Sequence, residues 1–218
     1  MIDLKYMLKG KRLVLLIVSV LAITALFSFV NIGVYSPQSY INKLHKSEGT
    51  YIQIKSFAGT DIKVMYQSPH YMACKEVISA DDNEEISFGS MVDNYSNSFN
   101  YVLRMESLSS SGFLQNIVAD PMKYQELVEY FSFGIQDDLT MVLGEEEYPC
   151  SFVHFERNYD VAPIVQIQIG FNIDDDIKNK IKSSEEWTLR FNAERFGLGP
   201  LNFLFQTEIL NDNPFIIN

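Results

Sequence analysis

The longest apolar stretch of the chain lies close to its N-terminus. Residues 13–30, LVLLIVSVLAITALFSFV, contain no charged residue, and the neutral stretch continues to Lys43. A helix rises about 1.5 Å per residue, so about 20 residues cross a hydrocarbon core of about 30 Å. We therefore predict a transmembrane helix over residues 13–34, preceded by a short tail at residues 1–12.

The basic residues of this tail decide the predicted orientation. Lys5, Lys9, Lys11 and Arg12 precede the apolar run, and a positively charged flank remains in the cytoplasm. The N-terminus is thus predicted to be cytoplasmic, and the C-terminal domain of this single-pass protein extracytoplasmic. A cleaved signal peptide begins in the same way and stays an alternative. The uncleaved signal-anchor is favoured, because the run is longer than a signal peptide's apolar region and no clean Ala-x-Ala site follows it.

Alternating apolar and polar positions begin soon after the anchor. Residues 36–49 open with Ser-Pro and end on Gly, which predicts a juxtamembrane linker or short helix over residues 35–49. Apolar and polar residues alternate in residues 50–57 and again in residues 61–67. The two runs are separated by Ala-Gly-Thr, which predicts a β-hairpin. Residues 70–80 fit either a strand or a short helix. No Pro-rich or Gly/Ser-rich linker divides the rest, so residues 50–218 are predicted to form one acidic, β-rich domain.

The C-terminal half shows one helical pattern and then a series of strand patterns. Asp120 and Pro121 are a good N-cap and first residue for a helix that Gly134 would end. Strand-like alternation follows in five runs: residues 139–143, 150–155, 161–171, 187–191 and 201–209. These runs predict an α+β, β-rich fold whose C-terminal half resembles an antiparallel β-sandwich.

Composition adds a large apolar fraction and a strong negative charge. The chain is 47% apolar and 13% aromatic, enough for a substantial core. Beyond the basic tail, 13 basic and 27 acidic residues leave a net charge of about −14. A surface of this sign repels nucleic acids and anionic headgroups. We therefore expect no nucleic-acid partner, and contact with the membrane only through the helix.

Two cysteines, Cys74 and Cys150, fall in the predicted exterior domain. An oxidising compartment permits them to form a disulfide, which would close a long loop and restrict the unfolded chain. The alternative is two separate buried thiols. The sequence leaves both possibilities, the disulfide and the separate thiols, open.

Candidate chemistry is sparse. The three histidines are His45, His70 and His154. His154 follows Cys150 at strand spacing, but no further ligand is near enough in sequence to suggest a metal site. The acidic runs lack the spaced pattern of a calcium loop, and no G-x-S-x-G motif is present. We predict no catalytic residue, no metal site and no cofactor.

These observations favour binding over catalysis. Many Phe and Tyr residues combined with few His and Cys predict a non-enzymatic scaffold or interaction subunit of a cell-envelope complex, with other membrane or envelope proteins as partners. A ligand-sensing or solute-binding ectodomain and a membrane-anchored hydrolase are the alternatives. The anchor also carries a stripe of small residues through which helices, including those of a homo-oligomer, could pack: Ser19, Ala22, Ala25 and Ser28.

Overall fold

The computed structural model describes residues 33–57, 59–80, 87–108, 120–156 and 164–217. The small-residue stripe and all but two residues of the predicted transmembrane helix lie outside these ranges. Within these ranges, no helix has the length and apolar character needed to span a membrane. Val34, which was assigned to the predicted helix, belongs instead to a two-residue strand.

Five α-helices and eleven strands lie in the described ranges. The helices are α1 (Pro37–Leu44), α2 (Pro69–Ser79), α3 (Phe88–Tyr95), α4 (Pro121–Glu129) and α5 (Asp175–Ser183). The strands are β1 (Val34–Tyr35), β2 (Ile52–Phe57), β3 (Thr60–Gln67), β4 (Ser98–Ser107), β5 (Leu139–Leu143), β6 (Glu146–Pro149), β7 (Phe152–Glu156), β8 (Ile164–Asn172), β9 (Glu186–Asn192), β10 (Pro200–Gln206) and β11 (Phe215–Ile216). Strands β1 and β11 pair in parallel in a compact unit of their own, and residues 37–213 form the second unit.

The second unit contains two antiparallel sheets. One has five strands in the order β2-β3-β4-β8-β7, and the other has four in the order β10-β9-β5-β6. The predicted α+β, sheet-rich class with antiparallel sheets is therefore confirmed, as is the hairpin, which is β2 and β3. The five predicted C-terminal runs divide between the sheets, because β7 and β8 join the N-terminal hairpin rather than the other late strands.

An aromatic layer fills the space between the two sheets. In β3, Tyr66 is fully buried and contacts Trp187 of β9, with ring centroids 5.6 Å apart. Tyr101 of β4 meets Phe205 of β10 at 5.6 Å. The buried Trp187 Nε1 donates a hydrogen bond of 2.7 Å to the Tyr101 hydroxyl. This bond satisfies a polar group that would otherwise be buried without a partner.

The helices begin where side chains cap their free backbone amides. The Asp120 carboxylate accepts from Met122 N at 3.0 Å, so the predicted N-cap of α4 is confirmed. Asp174 accepts from Ile177 N at 2.9 Å. The acidic run at residues 174–176, which lies between two predicted strands, is therefore the start of α5. Its carboxylates suit the positive end of the helix dipole.

A π-helical turn follows directly on the last residue of α4. Residues Tyr130–Gly134 form this turn, and a 3₁₀ turn follows at Ile135–Asp138. The π turn thus ends at the predicted stop, Gly134, and the 3₁₀ turn follows it directly. The buried Phe131 packs on Phe155 of β7, with ring centroids 5.5 Å apart, which joins the turn to the five-stranded sheet.

The structure contains both cysteines as free, buried thiols. Cys74 lies in α2, whereas Cys150 lies between β6 and β7, where its thiol donates to Phe152 O at 3.1 Å. The possible disulfide is therefore not formed in this structure, where both thiols are free. Burial raises the pKa of each thiol to about 11.

We predict that Tyr101→Phe destabilises the domain by about 1–3 kcal/mol, because the indole N–H of Trp187 then stays buried without an acceptor. Urea unfolding of the full chain, followed through its single tryptophan, measures the change. Tyr95→Phe is the matched control, since that hydroxyl bonds Glu76 at an exposed site, and less than about 1 kcal/mol is expected. Equal losses in the two variants would contradict a special role for the buried bond.

We predict that both thiols of the protein, purified without reductant, react slowly with iodoacetamide at pH 8 in the native state. Because each pKa is about 11, only about one thiol in a thousand is ionised at that pH. Unfolding returns the pKa toward about 8.5 and should allow two adducts, counted by intact mass. If the unfolded chain carries no adducts before reduction and two adducts after reduction, the two cysteines form a disulfide and the prediction is wrong.

Candidate functional site

The outer face of the five-stranded sheet carries a row of polar side chains. Because Ile62 and Val64 are buried on the inner face, alternation places Lys63 on the outer face. Lys63 lies directly opposite Arg104 of β4, and Arg104 lies opposite Gln166 of β8. The row therefore crosses the three central strands of this sheet.

Two cations of this row face each other across adjacent strands. Like charges directly opposite destabilise a strand pair. Glu106 offsets this repulsion partly, since its carboxylate lies 3.4 Å from Arg104 Nη2 and 3.9 Å from Lys63 Nζ. Asp61 lies 3.7 Å from the same Lys63 nitrogen. The buried Nε of Arg104 has no hydrogen-bond partner in the described structure.

Two glutamines continue the polar surface toward β7. The amide nitrogens of Gln166 and Gln168 donate to the two oxygens of Glu156, at 2.6 and 2.8 Å. These bonds fix which end of each amide faces the carboxylate. They leave the carbonyl oxygens as acceptors for another group.

Residues of α2 and the loop after α1 form the wall above this surface. His45 Nε2 and the Tyr71 hydroxyl are 2.8 Å apart, and the two rings are stacked. Burial lowers the pKa of His45, and the nearby Lys75 lowers it further. His45 is therefore neutral at pH 7, and Lys75 of α2 supplies the charge on this wall.

Together the sheet surface and the wall enclose a cavity of about 230 Å³, here called the outer cleft. Among its described lining residues are three cations and no carboxylate, although the chain as a whole has a net charge of −11. Gln67 is 98% buried at this cleft, and its Oε1 has no partner in the described structure. The polar lining consists of His45, Lys63, Gln67, Tyr71, Lys75, Arg104, Gln166 and Gln168.

A second cavity, here called the end pocket, has a volume of about 270 Å³ and is largely apolar. Phe99, Ile173, Ile181 and Ile209 are among the residues that line it. Its polar lining includes Ser68, His70 and Asp212, which are the residue types of a hydrolase triad.

The contacts of Ser68 and Asp212 give these two residues structural roles. Ser68 Oγ accepts from Tyr71 N at 3.2 Å as the N-cap of α2. Asp212 accepts from the Tyr51 hydroxyl at 2.8 Å and from Lys43 at 3.3 Å. Among the described hydrogen bonds, none joins Ser68 to His70, which a nucleophile and its base would require.

The candidate residues taken from the sequence are not grouped in one site. His45 lines the outer cleft and His70 lines the end pocket. Cys74 and Cys150 are outside both linings, and His154 is exposed on β7 opposite Gln168. Over the described ranges, no three His, Cys, Asp or Glu side chains are grouped as metal ligands. The carboxylate of Glu146 pairs with Lys180 at 2.9 Å instead.

Sequence reasoning missed the outer cleft, although part of its pattern is visible in the chain. Gln166 and Gln168 alternate with apolar residues in β8, as Asp61 and Lys63 do in β3. Each strand therefore predicts its own polar face. Which polar faces become neighbours depends on the strand order, and no local pattern contains that information.

The chain matches no protein-family model and no curated protein. Among solved structures, it is similar to a protein of unknown function from Burkholderia pseudomallei K96243, whose crystal structure was determined at 1.90 Å resolution. The sequence identity is 10% and the TM-score is 0.43, over 81% of this chain and 92% of that one.

Proposed function

We propose that this chain is a single-pass, membrane-anchored interaction subunit of a cell-envelope complex and acts without catalysis. Residues 1–12 form its cytoplasmic tail, and its transmembrane helix lies within residues 13–32, because Val34 belongs to strand β1. Residues 37–213 are then an extracytoplasmic, sandwich-like domain that includes helix α1. The uncharged run and the basic tail before it support this topology.

The edge of the five-stranded sheet at β7 supports an interaction role most directly. Strand β7 pairs with β8 and with no other described strand. Phe152 on this strand is 45% exposed, and Phe133 in the adjoining π turn is 80% exposed. Aromatic side chains near an open edge are typical anchors for a protein partner.

The expected partner is another envelope protein that adds an extended, basic segment to β7. An edge strand offers backbone donors and acceptors, which give affinity, while side-chain contacts give specificity. The net charge of −11 favours a partner of the opposite sign. Exposed Phe133 then supplies apolar contact area beside the added strand.

Solute binding is the second candidate function, because the lining of the outer cleft has three cations and no carboxylate in a chain with a net charge of −11. This role fits the alternative of a ligand-sensing or solute-binding ectodomain. The two functions use different surfaces, so one protein can carry both.

A mild-detergent pull-down of the full-length protein from native membranes, followed by mass spectrometry, tests the interaction role. Stoichiometric envelope proteins are expected with the wild type. Phe133→Ser should reduce their recovery about tenfold or more, the factor for loss of one interface anchor. Leu204→Ser is the matched control, since Leu204 is 42% exposed on β10 of the other sheet. Recovery of the wild-type protein alone would overturn the proposal.

The proposed topology gives a separate prediction. In membrane vesicles of known sidedness, protease should digest the acidic domain only when it is added on the extracytoplasmic side, and carbonate washing should not release the full chain. Digestion from the cytoplasmic side would contradict the predicted orientation. A mature N-terminus beyond residue 20 would support signal-peptide cleavage instead.

A further inference from the structure

We propose that the outer cleft binds a small solute that combines an anionic oxygen group with neighbouring hydroxyl or amino donors. Sugar acids and sugar phosphates share this chemistry. The inference rests on the second candidate function, solute binding, and does not depend on the protein contact at β7. The pull-down described above therefore does not test this inference.

The first step of the argument is the arrangement of charge. Lys63 and Arg104 are directly opposite on β3 and β4, and Lys75 adds a third cation from α2. In the described structure Lys75 has no carboxylate within ion-pair distance. An anion between these three groups relieves their mutual repulsion.

The second step is the set of unused acceptors. Gln67 is 98% buried, yet its Oε1 has no hydrogen-bond partner in the described structure. A buried acceptor left without a donor is destabilising, and its presence calls for an explanation. The carbonyl ends of Gln166 and Gln168 line the same cleft while their nitrogens are held by Glu156. A bound solute with O–H or N–H groups would supply donors to these oxygens.

The third step is size. A volume of about 230 Å³ is smaller than the roughly 300–1,000 Å³ of sites for drug-sized molecules. The cleft therefore suits a compact solute rather than a polymer segment. Its mixed lining of cations and amide oxygens also fits a polar solute better than a lipid tail.

Isothermal titration of the full-length protein in detergent with four probes tests the inference. Gluconate carries a carboxylate with hydroxyls, glucose 6-phosphate carries a phosphate with hydroxyls, glucose lacks the anion and acetate lacks the donors. We expect gluconate or glucose 6-phosphate to bind at least about tenfold more tightly than glucose and acetate, because only they use both sets of groups. The stronger of the two identifies which anionic group the cleft prefers. If neither binds, or if acetate binds equally well, the proposal is wrong.

Substitutions then locate the binding. Arg104→Gln should weaken it about tenfold or more, as expected for loss of a charged hydrogen bond. Lys75→Gln should weaken it similarly, and it provides a second test if the Arg104 variant does not fold. Arg190→Gln is the matched control, since Arg190 pairs with Glu147 away from the cleft, and binding should be unchanged. Undiminished binding in the folded cleft variants would place the solute elsewhere and overturn the assignment.

Discussion

Burial of the aromatic layer between the two sheets is the constraint on which the other features depend. Tyr66, Tyr101, Trp187 and Phe205 come from four strands, and each is at most 1% exposed. Side chains alternate along a strand, so burying these residues also decides which residues face outward. A shift of one residue in β3 would exchange Tyr66 for its neighbours and bring Lys63 into the interior. The polar outer face is therefore a direct consequence of the inner packing.

The outward row of polar residues shows how this constraint creates a charged surface. Two cations meet across β3 and β4 because register places them there, and one glutamate serves both. The arrangement is less favourable than a pair of opposite charges would be. Unfavourable local charge pairs of this kind occur preferentially at functional sites. For this reason the cleft is a stronger candidate than the end pocket, where Ser68 and Asp212 already have hydrogen-bond partners.

Much of the fold could be predicted from local patterns, and the exceptions have physical reasons. Residues 139–143 were predicted as a strand with the bounds that β5 has, because that run alternates cleanly. Strand β6 was missed, since Glu146 and Glu147 give it no apolar alternation and its pairing depends on the turn at Gly144, whose φ is +60°. Helix α5 was missed because it buries little more than Ile181. The cleft could not be predicted, because Arg104 and Gln166 become neighbours only through tertiary pairing.

The order of the strands also has a consequence for how the protein reaches this state. Strand β4 pairs with β3 on one side and with β8 on the other, and two of the ring partners of Tyr66, Trp187 and Phe205, come from β9 and β10. The early hairpin therefore keeps an uncovered apolar face until the last third of the chain has been synthesised. Contacts between residues this distant in sequence make folding slow and leave strand edges open to aggregation during that interval. Correct folding of this domain thus depends on completing the C-terminal sheet before the exposed hairpin aggregates with another chain.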